Sequence, residues 1–183
     1  GVGTARYYIA AAGYGGDKAV FVNGTTAGTA GVTTGNLVSN GGIVASNSTL
    51  SGSGRWGTAG ATYGYDKAVF GFGQSAASTY ASRIELISNT GVYSIGQASS
   101  VGTARSRLAA ATYGGDKVLF GYGTNASGVQ SMTNLISNTG VTAADVTGVG
   151  TARSNLAAAK YGTDKAIFGY GNSGSVTAVT NLV

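Results

Sequence analysis

The sequence predicts an all-β fold built from repeated four-stranded sheets, on three observations. A segment of about 49 residues recurs four times, each copy reads as short extended runs between glycine-rich turns, and no stretch carries a convincing helical period. The best-kept copies, residues 101–125 and 149–173, align without a gap and agree at 18 of 25 positions. Arg6, Arg55, Arg105 and Arg153 mark the four copies. An Asp-Lys pair follows each arginine by 11 residues, as Asp17-Lys18, Asp66-Lys67, Asp116-Lys117 and Asp164-Lys165. A phenylalanine follows each aspartate by four: Phe21, Phe70, Phe120 and Phe168.

The elements follow in order within the third copy. Leu108 to Tyr113 is a short run of small apolar residues, Lys117 to Tyr122 alternates, Ser131 to Ser137 is apolar around Leu135 and Ile136, and Val141 to Val146 is a weaker extended run. Gly114-Gly115-Asp116 supplies the positive backbone angles of a tight hairpin between the first two. Asn138-Thr139-Gly140 turns the chain between the third and fourth. The spacing from the aspartate to the following leucine varies from 20 residues at Leu37 and Leu86 to 18 at Leu182. Length changes gather in loops, because a slipped strand would turn its whole face over, so the stretch after each Gly-x-Gly phrase is expected to be a loop. Four antiparallel strands per unit, repeated, are the blades of a β-propeller. One repeat domain over 1–183 is expected, with approximate blades 1–51, 52–99, 100–147 and 148–183, the last incomplete. A β-trefoil closes at three units and leaves the strong fourth copy without a place, and the coils of a parallel β-helix are much shorter.

The small residues of the first strands, Ala10-Ala11-Ala12, Ala59-Gly60-Ala61, Ala109-Ala110-Ala111 and Ala157-Ala158-Ala159, suit positions where neighbouring blades converge. Larger residues such as Phe120, Leu135 and Ile136 would fill the wider gaps farther out. The chain holds three whole units and three strands of a fourth. A ring of four would close imperfectly, or another chain or further sequence would complete the last blade. The first residue is glycine, consistent with a processed chain or part of a longer one.

The phrase TARSRLAAATYGGDKVLFGYG, followed by SMTNLISNTG, resembles a kelch repeat. Arg105, the strand from Leu108, Gly114-Gly115, Gly121-Tyr122-Gly123 and Asn138-Thr139 take the places of the kelch arginine, small-residue strand, turn, diglycine and Asn-Thr turn. The diglycine is replaced by Gly-aromatic-Gly, and Gly140-Val141 stands where a tryptophan is expected. The resemblance implies a propeller, and kelch propellers serve several functions. The Gly/Ala/Ser/Thr-rich texture is also similar to repeat proteins of tailed-bacteriophage virions, which implies a virion or extracellular, cell-surface location.

Composition excludes much chemistry. The 183 residues include no histidine and no cysteine, so no imidazole base, thiolate nucleophile or ordinary zinc, haem or iron–sulfur site is available. Calcium needs clustered carboxylates, and the glycine-rich phrases lack the Gly-Lys-Ser/Thr of a phosphate loop. No cofactor, metal or catalytic residue is expected, and the chain is read as a non-enzyme. No run is long and apolar enough for a spanning helix, so no membrane insertion is expected. The net charge is +5, but 12 of the 17 charged residues belong to the repeat and spread one excess positive charge over each unit. Without a basic cluster, nucleic acid is not an expected partner.

The repeated charges read as scaffolding. Arg and Asp of one unit lie at opposite ends of the first strand, since 11 residues at roughly 3.3 Å each separate them. Asp17, Asp66, Asp116 and Asp164 are expected to organise the hairpin tips. Arg105 is expected to stack on Tyr122, Arg55 on Phe72 and Arg153 on Tyr170, while Arg6 faces Val22 and has no such ring. Glu85 with Arg83 reads as a surface pair. Positions that vary while their neighbours hold are free for binding: Tyr7-Tyr8, Trp56-Gly57, Ser106-Arg107 and Ser154-Asn155 directly follow the arginines. Tyr7, Tyr8, Trp56, Arg107 and Asn155 are therefore the candidate ligand-binding residues, with aromatic rings that can stack on sugars, anchor a partner or fill gaps between units. The expected function is a structural or adhesive module contributing interfaces and weak glycan recognition, with other protein subunits as partners in an oligomer or larger assembly. A kelch-type adaptor for protein–protein interaction is the alternative.

Overall fold

The computed structural model describes residues 2–50, 52–97 and 101–183. All regular structure in them is antiparallel β-strand, and no helix is long and apolar enough to cross a membrane. The first repeat is a meander of β1 (Ala10–Tyr14), β2 (Lys18–Val22), β3 (Thr34–Val38) and β4 (Ser48–Thr49), paired in chain order. The second has β5 (Ala59–Tyr63) and β6 (Lys67–Gly71), a short hairpin of β7 (Gln74–Ala76) and β8 (Thr79–Tyr80), then β9 (Ile84–Ile87) and β10 (Tyr93–Gln97). Its main sheet runs β5-β6-β9-β10. The third pairs β11 (Ala109–Tyr113), β12 (Lys117–Gly121) and β15 (Thr133–Ile136), with a hairpin of β13 (Thr124–Asn125) and β14 (Gly128–Val129) between the last two. The fourth is β16 (Ala157–Tyr161), β17 (Lys165–Gly169) and β18 (Thr180–Leu182).

Two local expectations are corrected. The stretch after the Gly-x-Gly phrase is a loop in length but folds on itself as β7–β8 and β13–β14, because each carries a reversal, at Ser78 (φ 62°) and Gly128 (φ 105°), that lets its arms pair. Val141 to Val146 makes only the isolated bridges Ile136–Thr142 and Thr133–Val146 instead of a full strand. Its middle is Ala143-Ala144-Asp145, residues poor at holding a pleat, and Asp145 turns to bind Thr103 and Asn134.

The alanine-rich strands pack against one another in chain order, β1 on β5, β5 on β11 and β11 on β16. Three apolar clusters fill the gaps. Val20, Val22, Phe70 and Ile87 meet between the first and second units. Val69, Ile84, Phe120 and Ile136 meet between the second and third, and Leu119, Tyr122 and Phe168 between the third and fourth. Since the second strand of each inner sheet is covered on both sides, β6 and β12 are buried almost throughout instead of alternating. Glycine makes the close approach possible: a Cβ on Gly121 would stand 2.9 Å from the Phe168 ring. Among the described residues the series does not close into a barrel or ring, and β16 at its end is largely exposed.

Candidate functional site

The repeated arginines are internal ties. Arg55, Arg105 and Arg153 are fully buried, and a buried guanidinium needs its charge and its donors answered. Arg105 donates through Nε to the Tyr122 carbonyl (2.7 Å) and through its terminal nitrogens to the Thr103 carbonyl (3.0 Å) and Asn134 Oδ1 (2.7 Å). Arg153 donates to the carbonyls of Thr151 (2.9 Å) and Phe168 (3.2 Å). Burial pushes Arg105 down to about 10, with the Asp145 carboxylate at 3.7 Å working the other way. Arg6, at the outer edge of the first unit, is half-buried and donates to Asn36 Oδ1 at 2.7 Å.

The expected arginine–aromatic stacking occurs, but one unit out of step. Arg105 lies over Phe72, with its guanidinium carbon 4.1 Å from the ring centroid, and Arg153 lies over Tyr122 at 4.0 Å. Arg105 and Arg153 thus hydrogen-bond inside their own units and stack on the rings of the preceding ones, whereas Arg55, expected on the Phe72 ring, donates to the Phe72 carbonyl and pairs with Glu85. Phe72, Tyr122 and Tyr170 all take the left-handed conformation, with φ near 63°, and so does Asn23 in the first unit. The residue equivalent to Phe72 is therefore Asn23, not Val22. Its amide donates to Glu85 (3.2 Å).

Glu85 is not a surface residue. It is buried between Arg55 (2.9 Å) and Arg83 (2.7 Å), and the two cations need a full negative charge where the first and third units place Asn36 and Asn134. In the third unit the acid comes from Asp145, which accepts from Thr103 N (2.8 Å), Thr103 Oγ1 (2.7 Å) and Asn134 Nδ2 (2.9 Å). Burial raises its carboxyl, and these donors together with Arg105 outweigh that and hold it below the ordinary value.

The repeated aspartates organise the hairpin tips through a partner the sequence reading did not identify. Asp17, Asp66 and Asp116 accept from the side-chain amides of Asn40 (3.0 Å), Asn89 (2.9 Å) and Asn138 (2.7 Å), tying the first hairpin to the later turn of the same unit. Their position 22 or 23 residues downstream in every complete unit was the available signal. The backbone carbonyls of Asp66, Asp116 and Asp164 accept from Gly15, Gly64 and Gly114 of the preceding unit. Asp66, Asp116 and Asp164 also pair with the adjacent lysines at 3.2–3.3 Å.

The variable residues come together as a ladder. Tyr7, Trp56, Ser106 and Ser154 bridge to Thr25, Gln74, Thr124 and Asn172 of their own units. The next residues, Tyr8, Gly57, Arg107 and Asn155, all have φ between 53° and 62°. Their backbones link unit to unit: Gly57 N donates to Tyr8 O (3.1 Å), Arg107 N to Gly57 O (2.8 Å) and Asn155 N to Arg107 O (2.9 Å). At Gly57 there is no side chain, and the Trp56 indole meets both neighbours. It stacks on Tyr8 (centroids 5.4 Å, planes 28° apart) and lies 5.5 Å from the Arg107 guanidinium carbon. Tyr7 packs against Tyr8 at 5.0 Å.

Burial divides the set. Trp56 is 4% exposed and acts as the floor, whereas Tyr7 and Tyr8 are 47% and 49% exposed and Asn155 is open to solvent. The ladder thus presents two aromatic faces, two phenol hydroxyls, a guanidinium and an amide along one rim. It can stack on a flat apolar ligand face and hydrogen-bond its edge. Among the described residues no cluster of three or more acids is placed to hold a metal ion. No family model and no curated protein matches the chain.

Proposed function

We propose that the four stacked sheets are kelch-like blades of a propeller-like arc that serves as a non-enzymatic structural and adhesive module of a virion or cell-surface assembly, and that its Tyr7–Tyr8 rim contributes weak glycan recognition. The observation that carries the reading is the division of labour among side chains. The repeated Arg and Asp residues are taken up in ties within and between units, while the non-repeating Tyr7 and Tyr8 stand exposed on one rim over a buried Trp56. Sugar rings present apolar C–H faces that suit exposed tyrosines, and Arg107 and Asn155 add donors beside them. The glycine-, alanine-, serine- and threonine-rich composition supports the virion or surface setting.

A glycan array tests the adhesive part. Signal from the wild-type chain that is lost in Tyr8→Ala, with melting unchanged, is the expected result. No signal from the wild type, or signal indifferent to Tyr8→Ala and Tyr7→Ala, overturns glycan recognition at this rim.

A further inference from the structure

The two ends of the stack carry the two halves of the interface that joins the units internally, and both halves are uncovered. We infer that a second copy of this chain docks its first unit onto the fourth unit of its neighbour, head to tail. The inference rests on the reading of the chain as an architectural module and names that module's partner.

The second–third and third–fourth junctions use the same knobs and sockets, and the first–second junction, where Val22 and Asn23 replace the glycine and the ring, shares their carbonyl acceptors. The later unit contributes a phenylalanine that seats over the second-strand glycine of the earlier one, Phe120 over Gly71 (3.2 Å to an added Cβ) and Phe168 over Gly121 (2.9 Å). It contributes an arginine that lies on the earlier unit's ring, Arg105 on Phe72 and Arg153 on Tyr122. It also contributes carbonyl acceptors. Asp66, Asp116 and Asp164 receive Gly15, Gly64 and Gly114 N–H (2.6–2.7 Å), and Arg55, Arg105 and Arg153 receive Gly24, Gly73 and Gly123 N–H (2.8–2.9 Å).

The trailing face of the fourth unit offers the next socket. Tyr170 is 63% exposed where its equivalents Tyr122 and Phe72 are buried. A groove runs over Ala157, Ala159, Ile167 and Gly169 to Tyr170, and a Cβ on Gly169 would meet only Thr180 of its own unit, at 3.2 Å. The Gly162 and Gly171 N–H groups stand in the places of the donors used at each internal junction.

The leading face of the first unit offers the next knob. Phe21 is 36% exposed where Phe70, Phe120 and Phe168 are fully buried, and Ile9 beside it is 40% exposed. Arg6 is half-buried where the other three repeat arginines are fully buried, placed to lie on Tyr170 as Arg153 lies on Tyr122. The carbonyls of Asp17 and Arg6 complete the set, and the ladder would continue from Asn155 to Tyr8. A second copy is the occupant that brings all of these in the arrangement already used at the second–third and third–fourth junctions of the chain. The interface joins unlike faces, so it can propagate or close.

Sedimentation velocity and light scattering on the full chain, from micromolar to several hundred micromolar, test the docking. A mass rising with concentration from 17.9 kDa to two chains or more is expected. Phe21→Lys on the head and Tyr170→Lys on the tail should each hold a single-chain mass at concentrations where the wild type associates, with unchanged circular dichroism. Ile9→Lys is a second head variant. Mixing Phe21→Lys with Tyr170→Lys leaves one intact head and one intact tail, and should restore a two-chain species that grows no further. A wild type that stays at one chain throughout, association indifferent to these substitutions, or a mixture that stays single overturns the inference. Glycan recognition is read separately: association without array signal removes the adhesive reading alone, and array signal from a single chain removes head-to-tail docking alone.

Discussion

Arg153 and Tyr122 meet across the junction of the third and fourth units, with the guanidinium carbon 4.0 Å from the ring centroid, while Arg153 donates to carbonyls of its own unit. One side chain therefore fixes both the fold of a unit and its seat on the preceding one. The same arrangement joins Arg105 to Phe72, so the repeated arginine registers sheet against sheet. Its loss should be felt in stability first.

Arg105→Ala leaves the buried Tyr122 carbonyl and Asn134 without their donor and uncovers Phe72. A loss of about 3–5 kcal/mol in urea unfolding is expected, as for one partner removed from a buried charged network. Arg105→Lys should recover little, because an ammonium cannot reach those acceptors with the geometry of a planar fork.

Glu85→Ala strands two cations, Arg55 and Arg83, in a buried site. Asp145→Ala removes a partly exposed acid 3.7 Å from Arg105, which keeps its carbonyl and Asn134 acceptors. Denaturation should show the Glu85 variant losing about 3–5 kcal/mol and the Asp145 variant clearly less.

Gly121→Ala and Gly169→Ala are chemically identical changes at equivalent positions with unequal consequences. At Gly121 the new methyl meets the Phe168 ring at 2.9 Å, and thermal unfolding should register a cost of about 1–3 kcal/mol from overpacking. At Gly169 no neighbouring phenylalanine is seated and the new methyl meets only the Thr180 methyl, at 3.2 Å, so the isolated chain should lose clearly less than the Gly121 variant.

Asp66 and Asp116 titrate below the ordinary carboxylate value of 3.8, chiefly because the amides of Asn89 and Asn138 donate to them. A lowered folded value means that the unfolded chain takes up the proton first. The stabilisation is complete above the unfolded value and fades as pH falls through the folded one. Asn138→Ala should move the Asp116 carboxyl resonance titration back up toward 3.8 and shallow the acid limb of the stability curve below about pH 4. An unchanged Asp116 titration would contradict the assignment.

Much of the fold was legible because the repeat exposes its own logic. Alanines in each first strand announced close strand packing, and β1, β5, β11 and β16 do pack together. Gly114-Gly115 announced a hairpin and adopts φ of 60° and 84°. The partner unit of each arginine was not legible, since spacing along one copy says nothing of which neighbouring copy a long side chain reaches. For the same reason Glu85 looked like half of a local pair with Arg83, and its link to Arg55 thirty residues earlier appeared only when β9 was laid beside β6. At the candidate rim, the equivalence of Tyr8, Gly57, Arg107 and Asn155 could be read from the alignment. The burial of Trp56 could not, because it comes from Tyr8 and Arg107, side chains of the neighbouring units that close over the indole.

Each unit seats on the one before it in chain order, and an isotope-edited NOESY spectrum of the chain measures that directly. Cross-peaks from the Phe168 ring to Gly121 Hα and from the Phe120 ring to Gly71 Hα are predicted. Rings of Phe120 and Phe168 that show contacts only within their own repeats would contradict it.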